Sequence, residues 1–249
     1  MQNKYGHSIN NNGMTSNKIL IFTPTYNEAE NIVEFIKCID ELNIEVDILI
    51  IDDNSPDNTW KIVQDYERDK KNLHLIKREK KEGVDTAHKV AYSYAVKNSY
   101  TYLITLDSDL SHDPRLIPKF IEELKTNIFV IGSRYIKGGK CGMTGWRLFL
   151  SYFGNKYIKF MFNINCDEFT TFYRGFNLNR ITNFNLNDIS SKGYSFAMET
   201  VYRLNKMGIA IKQIPIDFKV RKKGKSKIPK MKLFRTLINI FRLKFFTEN

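Results

Sequence analysis

Three cysteines in 249 residues, Cys38, Cys141 and Cys166, are too few and too scattered for a disulfide framework or a thiolate metal cage. They fit a reducing, cytosolic compartment. No run of about 18 apolar residues occurs, so no transmembrane helix is expected. The first 17 residues are polar and Asn-rich, without the apolar segment of a secretory leader, and read as a disordered tail. No internal repeat is visible. Acidic residues are also in deficit, 27 against 39 Lys and Arg, for a formal net charge of +12. Such an excess selects anionic partners: phosphates, nucleic acid or an acidic membrane surface. What the chain does have is apolar content, 42% of residues, enough for a sizeable core in one domain with short extensions.

Short apolar runs alternate with helical patterns through the first half. Residues 18–23, 46–51, 72–77, 102–106 and 128–131 read as strands. Residues 28–42, 56–69, 86–98 and 114–126 read as helices. Alternation at these lengths predicts parallel βαβ units, an α/β fold with a mostly parallel central sheet. The second half is less regular. Residues 132–145 hold five glycines and read as a mobile loop; residues 146–162 read as an aromatic helix, 194–207 as a further helix and 209–220 as one strand. The expected organisation is a tail over 1–17, a domain over 18–229 and a basic amphipathic helix over 230–249.

In parallel sheets ligands bind beyond the carboxyl ends of the strands. Three polar clusters fall there: TPTYNE (23–28), DDNSPDNT (52–59) and DSDLSHDP (107–114). Asp107 and Asp109, two apart on an extended segment, point to one side. They read either as a solvated turn or as hard-oxygen ligands for Mg²⁺ or Mn²⁺. Asp113, before Pro114 and a helical pattern, reads as a helix N-cap. His112 has no partner His or Cys nearby and reads as a loop or surface residue. Asp53 is either a turn residue or an acceptor for a sugar hydroxyl or base. Tyr26 and Glu28 are either turn residues or a stacking ring and a base-edge acceptor.

Taken in order, PTYNE (24–28), DDNSPD (52–57), DSDLSHDP (107–114), GSRY (132–135), GYSF with Glu199, and Arg221 followed by GKSK (224–227) resemble the family 2 glycosyltransferases of the Rossmann-like GT-A fold. The resemblance is greatest to the polyprenol- or dolichol-phosphate mannosyltransferases and spans about residues 18–230. It implies an inverting transfer of a hexose, usually mannose from GDP-mannose, to a polyprenyl phosphate. It further implies that Pro24, Tyr26, Glu28, Ile51, Asp53, Asp107, Ser108, Asp109, Ile131, Arg134, Arg221 and Lys227 hold the nucleotide sugar. Asp107, Asp109 and Ser111 would hold Mg²⁺ or Mn²⁺. Arg134, Arg147 and Ser151 would meet the acceptor phosphate, and Asp109, Arg134 and Arg221 would be catalytic. Relatives carry a glycine where this chain has Asp85, an Asp near Glu168 and a glycine at Phe172, which bears on sugar and acceptor identity.

Independently of the resemblance, two anions brought together need cations, and Arg suits bidentate phosphate binding. Alternatives are a UDP-glucose or other nucleotide-sugar enzyme, one building on a polysaccharide hydroxyl, a silent scaffold, or a basic nucleic-acid-binding protein. No nucleic-acid motif is visible, and none is expected as a partner. Residues 230–246 place Leu233, Phe234, Leu237, Ile238, Phe241 and Phe245 at helical spacing among basic residues. Such a segment either packs on its own domain or lies on an anionic membrane. The expectation is peripheral association with the cytoplasmic face of a membrane, directly or through a membrane-protein partner.

Overall fold

The computed structural model describes residues 17–220. Most of the expected tail, Arg221, Lys227 and the expected C-terminal helix lie outside the described residues. Strands β1 (Ile19–Thr25) and β2 (Asp47–Asp52) are Ile-rich, and almost every residue is buried on both faces. That is the pattern of central parallel strands. They alternate with helices α1 (Ile32–Asp40), α2 (Thr59–Asp69) and α3 (Val84–Lys97), and with strands β3 (Leu73–Lys77) and β4 (Tyr102–Thr105). Helix α4 (Ile117–Thr126) and strand β5 (Phe129–Ser133) follow.

Helices α1 and α2 start later than the apolar pattern predicts, whereas α3 starts two residues earlier. Asn27 and Asn58 adopt left-handed backbone, at φ 58° and 61°, so α1 and α2 are preceded by turns. Asn tolerates this conformation better than most residues. Asp113 caps a 3₁₀ turn (Pro114–Leu116) as expected, accepting from the Arg115 N–H.

After β5 the structure departs from expectation three times. Residues 132–145 are not simply a loop: β6 (Lys140–Cys141) pairs in parallel with β9 (Asp217–Phe218). The expected strand over 209–220 is two, β8 (Ile211–Pro215) and β9. A further strand, β7 (Arg174–Asn177), was not expected at all. It is too short and carries too much polarity and glycine for an apolar-run search to find. Helices α5 (Gly145–Phe162) and α6 (Tyr194–Lys206) fall close to expectation.

The seven-stranded sheet has the order β3-β2-β1-β4-β7-β5-β8. Strand β7 is antiparallel to both β4 and β5. Two reversals leave β5 running the same way as β4, so the carboxyl ends of β1, β2, β4 and β5 share one edge. Alternate residues face opposite sides. Leu20, Phe22, Leu49 and Ile51 pack with α3 and α6, whereas Ile19, Ile21, Ile48 and Ile50 pack with α1 and α4. Each fully buried Ile, Leu or Phe side chain contributes about 1.5–3 kcal/mol, so this three-layer stack holds the edge rigid.

Strand β7 crosses α4 closely. A Cβ on Gly175 would stand 2.9 Å from Leu124 Cδ1 and 3.3 Å from Leu124 Cγ and Phe120 Cδ1. Gly175→Val therefore overpacks a region with no free volume. It should lower the free energy of unfolding by about 1–3 kcal/mol, read as an earlier midpoint in urea denaturation.

Candidate active site

The register explains why three clusters form one site. Pro24 lies beside Ile51 and Thr25 beside Asp52, while Phe22 lies beside Thr105. The loops after β1, β2 and β4 thus leave the sheet together. Asp52 is wholly buried and locks the first two. Its Oδ2 accepts from Thr25 Oγ1 at 2.7 Å and from Ser55 Oγ at 2.6 Å, and its Oδ1 from Ser55 N at 2.7 Å. Three further bonds stitch residues 27–29 onto the 55–59 turn. Asn27 N donates to Ser55 Oγ, Glu28 N to Thr59 Oγ1 and Ala29 N to Asp57 Oδ2, each at 3.0 Å. Tyr26 and Glu28 are therefore presented from a braced loop. The Glu28 carboxylate accepts from Asn31 Nδ2, and the ammonium of Lys81 sits 3.6 Å above the Tyr26 ring.

Asp53 is present at this edge but already engaged. Its Oδ1 lies 3.1 Å from Arg78 Nε, and its Oδ2 accepts from Gly83 N at 2.9 Å. The Arg78 and Asp53 side chains are 6% and 9% exposed, so this is a buried pair. Arg78 also donates to Thr86 Oγ1 at 2.6 Å, tying the end of β3 to the start of α3. Sequence reasoning passed over Arg78; its place directly after an apolar strand was the available signal. Ile51 and Ile131 are wholly buried in the core, and their side chains support the site from beneath.

Asp109 is 3% exposed, and its Oδ1 accepts from Ser111 N at 3.0 Å, which folds the 107–113 segment into a tight turn. The Asp107 side chain is 33% exposed. Ser108 and Ser111 are buried, and the Ser111 carbonyl accepts from Lys219 N, linking this turn to the segment after β9.

His112 is buried, not the surface residue expected. Its ring takes an N–H bond from the Asp107 backbone at Nδ1, and Nε2 meets Thr171 Oγ1 at 3.1 Å. Burial pushes its pKa down to about 4, with Asp109 pulling the other way and Arg134 reinforcing it. His112 is thus a neutral strut under the carboxylates.

Arg134 leaves the end of β5 and is committed to a protein partner. Nε and Nη2 donate to the two oxygens of Glu168 at 2.6 and 2.7 Å, and Nη2 also donates to Thr170 Oγ1. Glu168 is wholly buried and also accepts from the N–H groups of Thr170 and Thr171. Burial works to raise the Glu168 pKa, but the Arg134 guanidinium and these hydrogen bonds outweigh it and hold the carboxyl below its usual value. Ser151 accepts from the Tyr135 hydroxyl at 2.6 Å. Arg147 stands exposed one turn earlier on α5, on the same helical face. Of the expected acceptor contacts, Arg134 organises the 168–171 turn while Arg147 projects into solvent.

The two carboxylates suit a hard divalent ion that takes its other ligands from water and substrate phosphates. Among the described residues no group of three or more His, Cys, Asp or Glu converges as a closed metal cage. The geometry presents two carboxylates in one turn beside a braced pair of loops.

Residues 20–180 match glycosyl transferase family 2. An undecaprenyl-phosphate mannosyltransferase of Micrococcus luteus is 30% identical over 228 residues, covering 90% of this chain and 93% of that protein. The chain belongs to glycosyl transferase family 2. Solved structures share its fold. The glucosyl-3-phosphoglycerate synthase of Mycobacterium tuberculosis, described with Mn²⁺, UDP and its product, superposes with a TM-score of 0.65 at 16% identity over 92% of this chain and 80% of its own. A mannosyltransferase of Pyrobaculum calidifontis, described with GDP-Man and Mn²⁺, gives 0.53 at 18% identity over 89% of this chain and 62% of its own. In this glycosyltransferase the sheet and the flanking helices are those of the GT-A fold.

The Arg134–Glu168 pair supplies a sharp test. Glu168→Gln leaves a buried guanidinium without its counter-charge and should cost about 3–5 kcal/mol at neutral pH. The folded pKa of Glu168 lies below its ordinary 4.5, so its contribution is complete above that value. It is lost as pH falls through the depressed folded pKa. Urea denaturation of both proteins should show the stability gap narrowing in acid.

Proposed function

We propose that this glycosyltransferase moves mannose from GDP-mannose to a polyprenyl phosphate with inversion at the anomeric carbon. The observation that carries the reading is the convergence of Asp107 and Asp109 with the Tyr26–Glu28 and Asp53 loops on one sheet edge. The mannosyltransferase relative, matched over nearly its whole length, supports the sugar and the lipid-phosphate acceptor. The P. calidifontis neighbour's GDP-Man supports the donor, and the Mn²⁺ in both neighbours supports a divalent ion.

The chain's own residues divide the work. Tyr26 offers a ring face to the base, and Glu28 and Asp53 offer acceptors to base and ribose. Asp107 and Asp109 hold Mg²⁺ or Mn²⁺ at the diphosphate, with Ser111 ordering the turn through its backbone. The bound ion supplies charge stabilisation to the departing nucleoside diphosphate. Arg221 and Lys227 are proposed to close over that diphosphate, and Arg134, Arg147 and Ser151 to orient the acceptor phosphate. An acceptor phosphate is largely ionised at neutral pH, with a second pKa of about 6. It therefore attacks without a strong general base, which a sugar hydroxyl would require. Neutral, buried His112 is consistent with that, since it supports the carboxylates and is not presented to a substrate.

The lipid acceptor requires access to a membrane surface. Among the described residues no helix is long and apolar enough to cross one. Helix α5 exposes Trp146 at 63%, Phe149 at 49%, Phe153 at 52% and Phe160 at 82%. Aromatic rings beside Arg147 and Lys156 suit the headgroup region of an anionic bilayer. We propose peripheral association with such a membrane through α5, with the basic 230–249 segment as a second contact.

Two experiments test this. With GDP-[¹⁴C]mannose, Mn²⁺ and a short polyprenyl phosphate, label should enter the organic phase, and a panel of other nucleotide sugars should give far less. Asp109→Ala should lower the rate at least about 100-fold, since several kcal/mol of charge stabilisation is removed. Label confined to water with every donor refutes the reading. In flotation with phosphatidylglycerol vesicles, the double variant F149S/F153S should lose most vesicle binding; unchanged binding would remove α5 as the anchor.

A further inference from the structure

Asp85 occupies the seam between α3 and α6, apart from the carboxylates at the strand ends. It is 8% exposed, and its Oδ1 accepts from the backbone N–H of Gly193 at 3.2 Å. Gly193 has φ +58° and ψ −127°, a backbone region that L side chains rarely adopt, and its Cβ position has no atom within 4 Å. Packing does not brace this turn from that side. Hydrogen bonds do: Ser191 donates to the Glu199 carboxylate on α6, and Gly193 donates to Asp85 on α3.

The other attachments of the first turns of α3 give this tether its meaning. Gly83 N donates to Asp53 Oδ2 at the nucleoside end of the site. His88, one turn beyond Asp85, stacks on Phe172 with ring centroids 4.6 Å apart. The Phe172 carbonyl accepts from Thr105 Oγ1 at 2.5 Å, just below Asp107 and Asp109. Helix α3 thus touches the nucleoside end, the floor of the diphosphate end and the 190–193 turn. A nucleotide sugar held at the first two presents its sugar to whatever wall comes next.

We propose that Asp85 is a positioning residue for the donor sugar: its bond to Gly193 holds the turn before α6 as the wall of the sugar pocket. This rests on the donor-site reading given above. Asp85→Asn keeps an oxygen acceptor, whereas Asp85→Ala removes it. In hydrogen–deuterium exchange of the full chain, D85A should exchange about 3- to 10-fold faster over residues 190–196, the factor one ordinary hydrogen bond represents, while D85N stays near wild type. Steady-state assays should show D85A with a raised KM for GDP-mannose and a reduced preference over GDP-glucose. Its affinity for GDP alone should be unchanged. Unaltered exchange in D85A overturns the tether. Equal losses for GDP and GDP-mannose overturn the sugar-wall role. A wild-type chain inactive with every donor refutes the functional reading instead, and the exchange result still decides whether Asp85 holds the turn.

Discussion

The parallel pairing of β1 with β2 on one side and β4 on the other is the constraint on which the site depends. Parallel strands deliver their carboxyl ends to one edge, and the register brings Thr25 beside Asp52 and Phe22 beside Thr105. A slip of one residue would turn every side chain to the opposite face. It would exchange the set facing α3 and α6 for the set facing α1 and α4. The hydrophobic cost of that exchange protects the register. Wholly buried Asp52 then converts register into site geometry by bonding to both emerging loops.

A second constraint is charge. The chain is strongly basic, yet its strand ends gather carboxylates. Three carboxylates around the site are paired with arginines: Asp53 with Arg78, Glu168 with Arg134 and Asp113 with Arg115. Asp107 keeps the more open side chain and Asp109 sits beneath it in the same turn. On α5, Lys159 pairs with Asp167, whereas Arg147 stays exposed. Arg134 changes meaning under this division, since its guanidinium organises the Glu168–Thr171 turn.

The first half of the fold was legible because buried strands of Ile and Leu alternate with amphipathic helices, and the clusters at 23–28, 52–59 and 107–114 follow those strands directly. Asp113 was readable as a cap because Pro follows it. What escaped depends on partners far away in sequence. Strand β7 is polar and short, and is a strand because β4 and β5 flank it. His112 looks like a loop residue until Thr171, 59 positions on, closes over it. Arg78 pairs with Asp53, and Asp85, notable in the sequence only as a departure from relatives, bonds to Gly193, 108 positions away. Local pattern cannot announce such contacts.

In the proposed reaction a lipid phosphate oxygen displaces the nucleoside diphosphate in one step. The most direct measurement is NMR of the purified lipid product, with ³¹P–¹H correlation at the anomeric position. Single displacement on an α-linked donor should give a β-linked mannosyl phosphodiester, its anomeric proton coupled to phosphorus. An α-linked phosphodiester, or a sugar attached through a carbohydrate hydroxyl with no phosphorus coupling, would contradict it.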